Sequence, residues 1–331
     1  MTEAEERGPR PVEAGSIHVV IGCNGPVGTE LMHQLSAQGK KIRGVCRSGR
    51  SEAPEGAEIV AGDIAAPEQT APLCRGAGVV YSCVGVDYSE WMEQWPWIIN
   101  GLIDGAGTSG AKLIFADNLY SYGPHDGPLT EDLPLTRYGR KPALRSRITE
   151  ELLGVNTSGR VRTALVRASD FYGPRTRNAM LGERVFPMAL AGKPAQLLGN
   201  IDQPHTYTYV PDFARALIRV GEDDSALNQI WHVPSAPART TRQVVETIYK
   251  LAGQRPRMRV MPNWLLTAMG SFNPLIGEPR EMSFVWDRPY IVNHDKFVQH
   301  FGDDWTPLDE GLETTLNWYR ESSQHSAVLA T

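Results

Sequence analysis

Ile17-His18-Val19-Val20-Ile21-Gly22-Cys23-Asn24-Gly25-Pro26-Val27-Gly28-Thr29 sets the architecture of this chain. Ile17 to Ile21 reads as a buried strand: β-branched and apolar, with one polar interruption at His18. Glycines follow at Gly22, Gly25 and Gly28, and Thr29-Glu30-Leu31-Met32 opens a helix that runs to about Ala37. A dinucleotide pyrophosphate needs backbone N–H donors at a helix N-terminus with no Cβ in the way. In that reading Gly22 permits the tight turn, Gly25 lets the backbone approach the phosphates, and Gly28 lets helix and strand pack closely. The spacing is G-x-x-G-x-x-G rather than G-x-G-x-x-G, so its place between a strand and a helix carries the inference.

Composition bounds the rest. The chain has 331 residues, 41% hydrophobic and 21% charged, which suits a soluble globular protein of one large or two modest domains. A net charge of −5 gives no electrostatic reason to expect nucleic acid or an anionic membrane as partner. No apolar run reaches transmembrane length, and no signal peptide precedes Ile17. Residues 1–15 are acidic, aperiodic and contain Pro and Gly, and read as a flexible leader. Cys23, Cys46, Cys74 and Cys83 form no C-x-x-C pair, which suits reduced thiols and a cytoplasmic location. There is no H-E-x-x-H, no Cys/His cluster at ligand spacing and no G-x-S-x-G, so neither a metal nor a serine hydrolase is indicated.

Further strands read at Lys41–Cys46, Glu58–Ile64, Val79–Gly85, Lys112–Ala116 and Val161–Arg167, with a tryptophan-rich helix around Trp91 to Gly105. Alternating strands and helices predict an α/β, Rossmann-type doubly wound parallel sheet. Ligands of such sheets bind at the carboxyl ends of the strands, here Gly22, Cys46, Asp63, Cys83 and Asp117. The expected division is a Rossmann domain over 16–175, with 205–235 returning to it. A smaller substrate-binding lobe is expected over 176–204 and 236–322, and a frayed tail over 323–331. A NAD-preferring site carries an acidic residue about 20 residues past the glycines. Cys46 stands there and Arg47 follows, which predicts NADP(H) over NAD(H), since arginine pairs with a 2′-phosphate.

These segments, in this order over residues 16–320, resemble the extended short-chain dehydrogenase/reductases, close to the NAD(P)-dependent epimerase/dehydratase group. Gly22, Asn24, Gly25, Pro26, Val27 and Gly28 look like its cofactor loop, and Gly62-Asp63-Ile64 is similar to its adenine-holding segment. Cys83, Val84 and Gly85, at the end of the fourth strand, are further candidate cofactor contacts. Asp117-Asn118-Leu119-Tyr120-Ser121-Tyr122-Gly123 resembles its Ser-Ser-x-x-Val-Tyr-Gly stretch. Arg167-Ala168-Ser169-Asp170-Phe171-Tyr172-Gly173-Pro174 resembles its Arg-x-x-Asn-x-Tyr-Gly-Pro segment, and Tyr207 to Asp212 its His-Val-x-Asp turn. The resemblance implies cofactor contacts from Asp170 and Phe171, a small-molecule substrate, and allows a homodimer.

The chain departs from the family where the chemistry is done. A Tyr-x-x-x-Lys pair on one helix puts a lysine one turn from the phenol, lowering its pKa and gripping the nicotinamide ribose. None of the 11 tyrosines has such a lysine, and Tyr138 has Pro142 instead. Asn118 takes the serine position, and Leu119 and Tyr120 replace the Asp-Glu pair of related dehydratases. The chain is therefore identified with the atypical branch of the superfamily. Lys141 or Arg145 is the candidate for the ribose-gripping role, Asn118 for polarising a substrate carbonyl or imine, and Tyr120 or Tyr138 for the phenolic acid. Asp170, Tyr172, Tyr207 and Trp91 are candidate substrate contacts. Trp95, Trp97, Met282, Phe284, Trp286 and Tyr290 suggest an aromatic pocket or plain core packing. The expected function is an NADPH-dependent oxidoreductase reducing a small carbonyl or imine. The alternatives are an NAD(P)-dependent sugar epimerase or isomerase, and a non-catalytic NADP(H)-binding redox sensor.

Overall fold

The computed structural model describes residues 16–261 and 281–328. The expected leader, 1–15, lies outside the described residues. Seven parallel strands form one sheet in the order β11-β6-β5-β4-β1-β2-β3. They are β1 (Ile17–Ile21), β2 (Lys41–Cys46), β3 (Glu58–Ala61), β4 (Ala77–Ser82), β5 (Lys112–Asn118), β6 (Arg162–Ala168) and β11 (Ile230–His232). The order reverses at β1, where β2 lies on one side and β4 on the other, so the crevice of this doubly wound sheet opens above the end of β1.

Period-2 alternation builds two core layers from one strand. Val19 and Ile21 face the layer formed with α2 (Pro67–Cys74), α3 (Trp91–Ser109) and α4 (Lys141–Thr157). Val20 faces the opposite layer, with α1 (Pro26–Ala37) and α6 (Val210–Glu222). The polar interruption in β1 is satisfied: His18 Nδ1 lies 3.3 Å from the Tyr81 hydroxyl. Helix α1 begins at Pro26 rather than near Thr29, because Pro is tolerated in a first turn where no N–H is needed.

A third hydrophobic cluster gathers mainly residues of the segments expected to form a smaller lobe. It joins α5 (Phe186–Leu190), β8 (Ala195–Leu198), α7 (Thr241–Leu251) and α10 (Leu308–Val328). Helix α7 starts on a capping box in which Thr240 and Gln243 each bond the other's backbone N–H. Helix α10 continues to Val328, so the frayed tail expected from residue 323 is helical backbone for its first six residues. The short strands β7 (Asp170–Tyr172) and β10 (Tyr207–Tyr209) pair in parallel where sheet and lobe meet.

Candidate active site

The glycine loop is a cradle that side chains would fill. Gly22 has φ +85°, and a Cβ there would lie 2.6 Å from the Cys83 carbonyl oxygen. A Cβ at Gly28 would run into the Gly22 carbonyl oxygen, so α1 sits as close to β1 as backbone allows. A Cβ at Gly25 would find its nearest atom 3.5 Å away, leaving that side of the loop open. No side chain caps α1 and no acidic residue stands in its first turn. The leading N–H groups are thus left for an anionic ligand, and the loop fits a dinucleotide pyrophosphate. Asn24 is exposed at the loop tip; Pro26 and Val27 form the first turn. Arg47 is exposed just past β2. Asp63 Oδ1 accepts the Ala65 N–H at 2.9 Å, a turn that buries Ile64. Cys83 and Val84, partly exposed, and Gly85, exposed, leave β4 along the same crevice.

The end of β5 carries the groups for chemistry. Asn118 Oδ1 accepts the Tyr120 N–H at 3.0 Å, which fixes the carboxamide and leaves its NH2 to donate. The Tyr120 hydroxyl lies 2.8 Å from that of Tyr88. Tyr88, in the short turn after β4, was not singled out by the sequence reading; its only signal is its place beyond a strand end. Trp91 stacks on both phenols, at 4.9 Å from Tyr88 and 6.1 Å from Tyr120 between centroids. Burial pushes the Tyr88 phenol up to about 12, against the pull of its bond to Tyr120. Burial, reinforced by Tyr88, raises Tyr120 well above the usual phenol range. Both phenols are neutral at neutral pH, and either hydroxyl can be the donor in the bond between them.

The expectation that Arg145 grips a ribose is corrected by its surroundings. Its guanidinium is buried, with Nε and Nη2 both donating to Asp117 Oδ1, and it lies over the Trp95 ring at 4.6 Å. Arg167 Nε donates to the other oxygen of Asp117 at 2.9 Å. Burial opposes ionisation of Asp117, but the two guanidiniums outweigh it and hold the carboxyl below the usual range. Lys141 is also buried; its Nζ stands 3.7 Å from Glu281 Oε2, and burial lowers its pKa against the attraction of that carboxylate. Tyr138, in the loop three residues before α4, is 46% exposed and packs edge-on against Phe284.

Asp170, on β7, lies beside the phenol pair. Its Oδ2 accepts the Trp286 indole N–H at 3.1 Å, and His205 Nε2 stands 3.2 Å from the same oxygen without the alignment of a hydrogen bond. Tyr290 stacks on His205, and its buried hydroxyl has no partner. Phe171 is partly buried beside Asp170. Tyr207 is close but occupied: its hydroxyl meets Thr241 Oγ1 at 2.8 Å. Tyr172 is a correction, since its side chain is buried in the lobe core against Tyr209 and Gly311. Trp95 belongs to the core, and Trp97 is 59% exposed, away from any aromatic pocket. Among the described residues no group of three His, Cys, Asp or Glu is placed to hold a metal, and no helix is long and apolar enough to cross a membrane.

A sequence profile of the NAD dependent epimerase/dehydratase family matches residues 18–233. A dTDP-glucose 4,6-dehydratase of Neisseria gonorrhoeae is 27% identical over 179 residues, covering 49% of this chain and 45% of that protein. A Bacillus subtilis (strain 168) protein, named as an uncharacterized UDP-glucose epimerase YtcB, is 25% identical over 208 residues, covering 62% and 59%. The chain thus spans about half the length of these curated relatives. MoeE5, solved in complex with UDP-glucose and NAD, superposes with a TM-score of 0.76 at 20% identity, covering 92% of this chain and 99% of that one. The epimerase Mth375 of Methanothermobacter thermautotrophicus superposes at 0.79 and 17%, covering 94% of each. These likenesses stand nearer to the epimerase alternative than to reduction of a small carbonyl, and NAD rather than NADP accompanies MoeE5.

Proposed function

The chain belongs to the NAD dependent epimerase/dehydratase family, and from that premise we propose that it exchanges hydride between a nicotinamide cofactor and a hydroxyl-bearing carbon of a sugar-like substrate, as an epimerase does. The observation that carries this is the Tyr88–Tyr120 hydroxyl pair, 2.8 Å apart beside Asn118 at the carboxyl end of β5. The nicotinamide, when bound, accepts or supplies the hydride. The protein's share is to hold and move the proton. Asn118 donates to the substrate oxygen; as hydride leaves the carbon, that oxygen's proton passes to Tyr120 while the proton Tyr120 held moves on through Tyr88, which is exposed to solvent. The return step draws the same proton back through the same pair.

Missing Tyr-x-x-x-Lys weighs on the base half of this cycle, because a neutral phenol is a better acid than base. That favours a second reading, reduction of a small carbonyl or imine, in which only the acid role is needed. Arg47, exposed past β2 with no carboxylate at Cys46, supports NADP(H) as the preferred cofactor in either reading. Titration with NAD+, NADP+, NADH and NADPH, followed by turnover on UDP-sugars with the oxidised cofactors and on simple ketones and cyclic imines with the reduced ones, tests the proposal. Interconversion of a sugar without net cofactor consumption is expected. Stoichiometric NADPH oxidation by a ketone or imine would replace that reading with the second. Tight binding with no turnover on any of them would favour the redox sensor. Tyr120→Phe and Asn118→Ala are expected to cut kcat by about 10²–10⁴ with cofactor affinity unchanged.

A further inference from the structure

The crevice end formed by β5 and β7 holds a carboxylate, Asp170, that no lysine or arginine among the described residues pairs with. Its charge is met by an indole N–H on one oxygen and by an imidazole 3.2 Å away that is not aligned to bond, and which supplies charge only when protonated. The rest of the wall is aromatic. Tyr290 stacks on His205 at 5.3 Å, and the Tyr88 and Tyr120 phenols lie near enough for the Asp170 charge to raise both. The Tyr290 hydroxyl, buried and unpartnered, joins the same cluster.

A ligand seated against Asp170 would shut solvent off from its 18% exposed side chain. A ligand hydroxyl there would satisfy one lone pair but leave the negative charge desolvated, which costs several kcal/mol for an unpaired carboxylate (about, from ion burial generally). A phosphate or carboxylate would add repulsion. A nitrogen cation supplies both the hydrogen bond and the countercharge, and it gains further from ring faces. We propose that the substrate meets Asp170 with a nitrogen cation, a protonated amine or an iminium, so that the substrate class is a sugar-sized molecule bearing nitrogen. This rests on the reading above that the crevice is the substrate site, and it narrows the substrate that reading leaves open.

Three ring probes of matched size test it at pH 7: cyclohexylamine, protonated there, cyclohexanol, and cyclohexanecarboxylate. Each is titrated against the full chain with and without saturating NAD+, by tryptophan fluorescence and by ligand-observed NMR. The amine is expected to bind about tenfold tighter than the alcohol, with the carboxylate weakest. Asp170→Asn, which keeps the acceptor for Trp286, is expected to bring amine and alcohol within about twofold while the thermal midpoint holds. Alcohol binding as tight as amine, no saturable amine binding, or a cation preference surviving Asp170→Asn would each overturn the proposal. So would an altered NAD+ to NADH affinity ratio in Asp170→Asn with the probe order unchanged, which assigns the carboxylate to the nicotinamide ring. Failure of the family reading is seen separately, as absence of NAD(P) binding before any probe is added.

Discussion

Asp117 shows what a buried charge does when it is shared. One carboxylate faces two guanidiniums, so the cluster carries a net charge of one beneath the floor of the site. Arg145→Met removes that excess and leaves Asp117 paired with Arg167. Asp117→Asn leaves two buried cations facing each other. The Asp117→Asn variant is therefore expected to lose about 3–5 kcal/mol, and Arg145→Met clearly less, read as urea midpoints. If Arg145 gripped a ribose, its methionine variant would lose cofactor affinity; unchanged affinity is expected. Neither sequence spacing nor helix position distinguishes these roles. Arg145 sits within one residue of where a ribose-binding cation belongs, and its partner Asp117 is 28 residues away in the chain.

Between elements, glycines set how closely backbones approach, and the loop offers an internal control. A Cβ at Gly28 meets the Gly22 backbone, whereas one at Gly25 meets nothing closer than 3.5 Å. Gly28→Ala is expected to destabilise by about 1–3 kcal/mol because α1 must move off β1. Gly25→Ala is expected to leave the thermal midpoint nearly unchanged and to weaken NAD(P) binding, by putting a methyl where the phosphates approach. Calorimetry with parallel cofactor titration separates the two effects. Equal destabilisation in both variants would contradict the assignment of packing to one glycine and ligand approach to the other. This division was legible in the sequence, since each role follows from a glycine's place between strand and helix. The Tyr88–Tyr120 contact was not, because 32 residues and all of α3 separate its partners.

For the molecule as a whole, acid is the expected threat. His232 is fully buried, its Nδ1 3 Å-class bond going to the Asn293 carbonyl and its Nε2 accepting from the Tyr122 hydroxyl, both at 2.8 Å. Burial lowers its pKa to about 3, and burial likewise lowers that of His18 to about 4, from 6.5 in each case. The unfolded chain then binds protons that the native state refuses. Their contribution is complete above about pH 6.5 and is lost as pH falls, at about 1.4 kcal/mol per unit for each group. The thermal midpoint is expected to drop between pH 6.5 and 5, less steeply in His232→Gln; a pH-independent midpoint would contradict this. Sequence by itself determined the parallel doubly wound sheet and the glycine cradle, because strand periodicity, glycine spacing and helix starts are encoded within a few neighbouring residues. Only the tertiary structure decided which of the candidate side chains meet. It buried Arg145 against Asp117, sent Tyr172 into the core beside Tyr209, paired Tyr88 with Tyr120, and left Asp170 among aromatic rings with no lysine or arginine beside it among the described residues. Those outcomes depend on which distant side chains share a desolvated space, and local pattern carries no record of that.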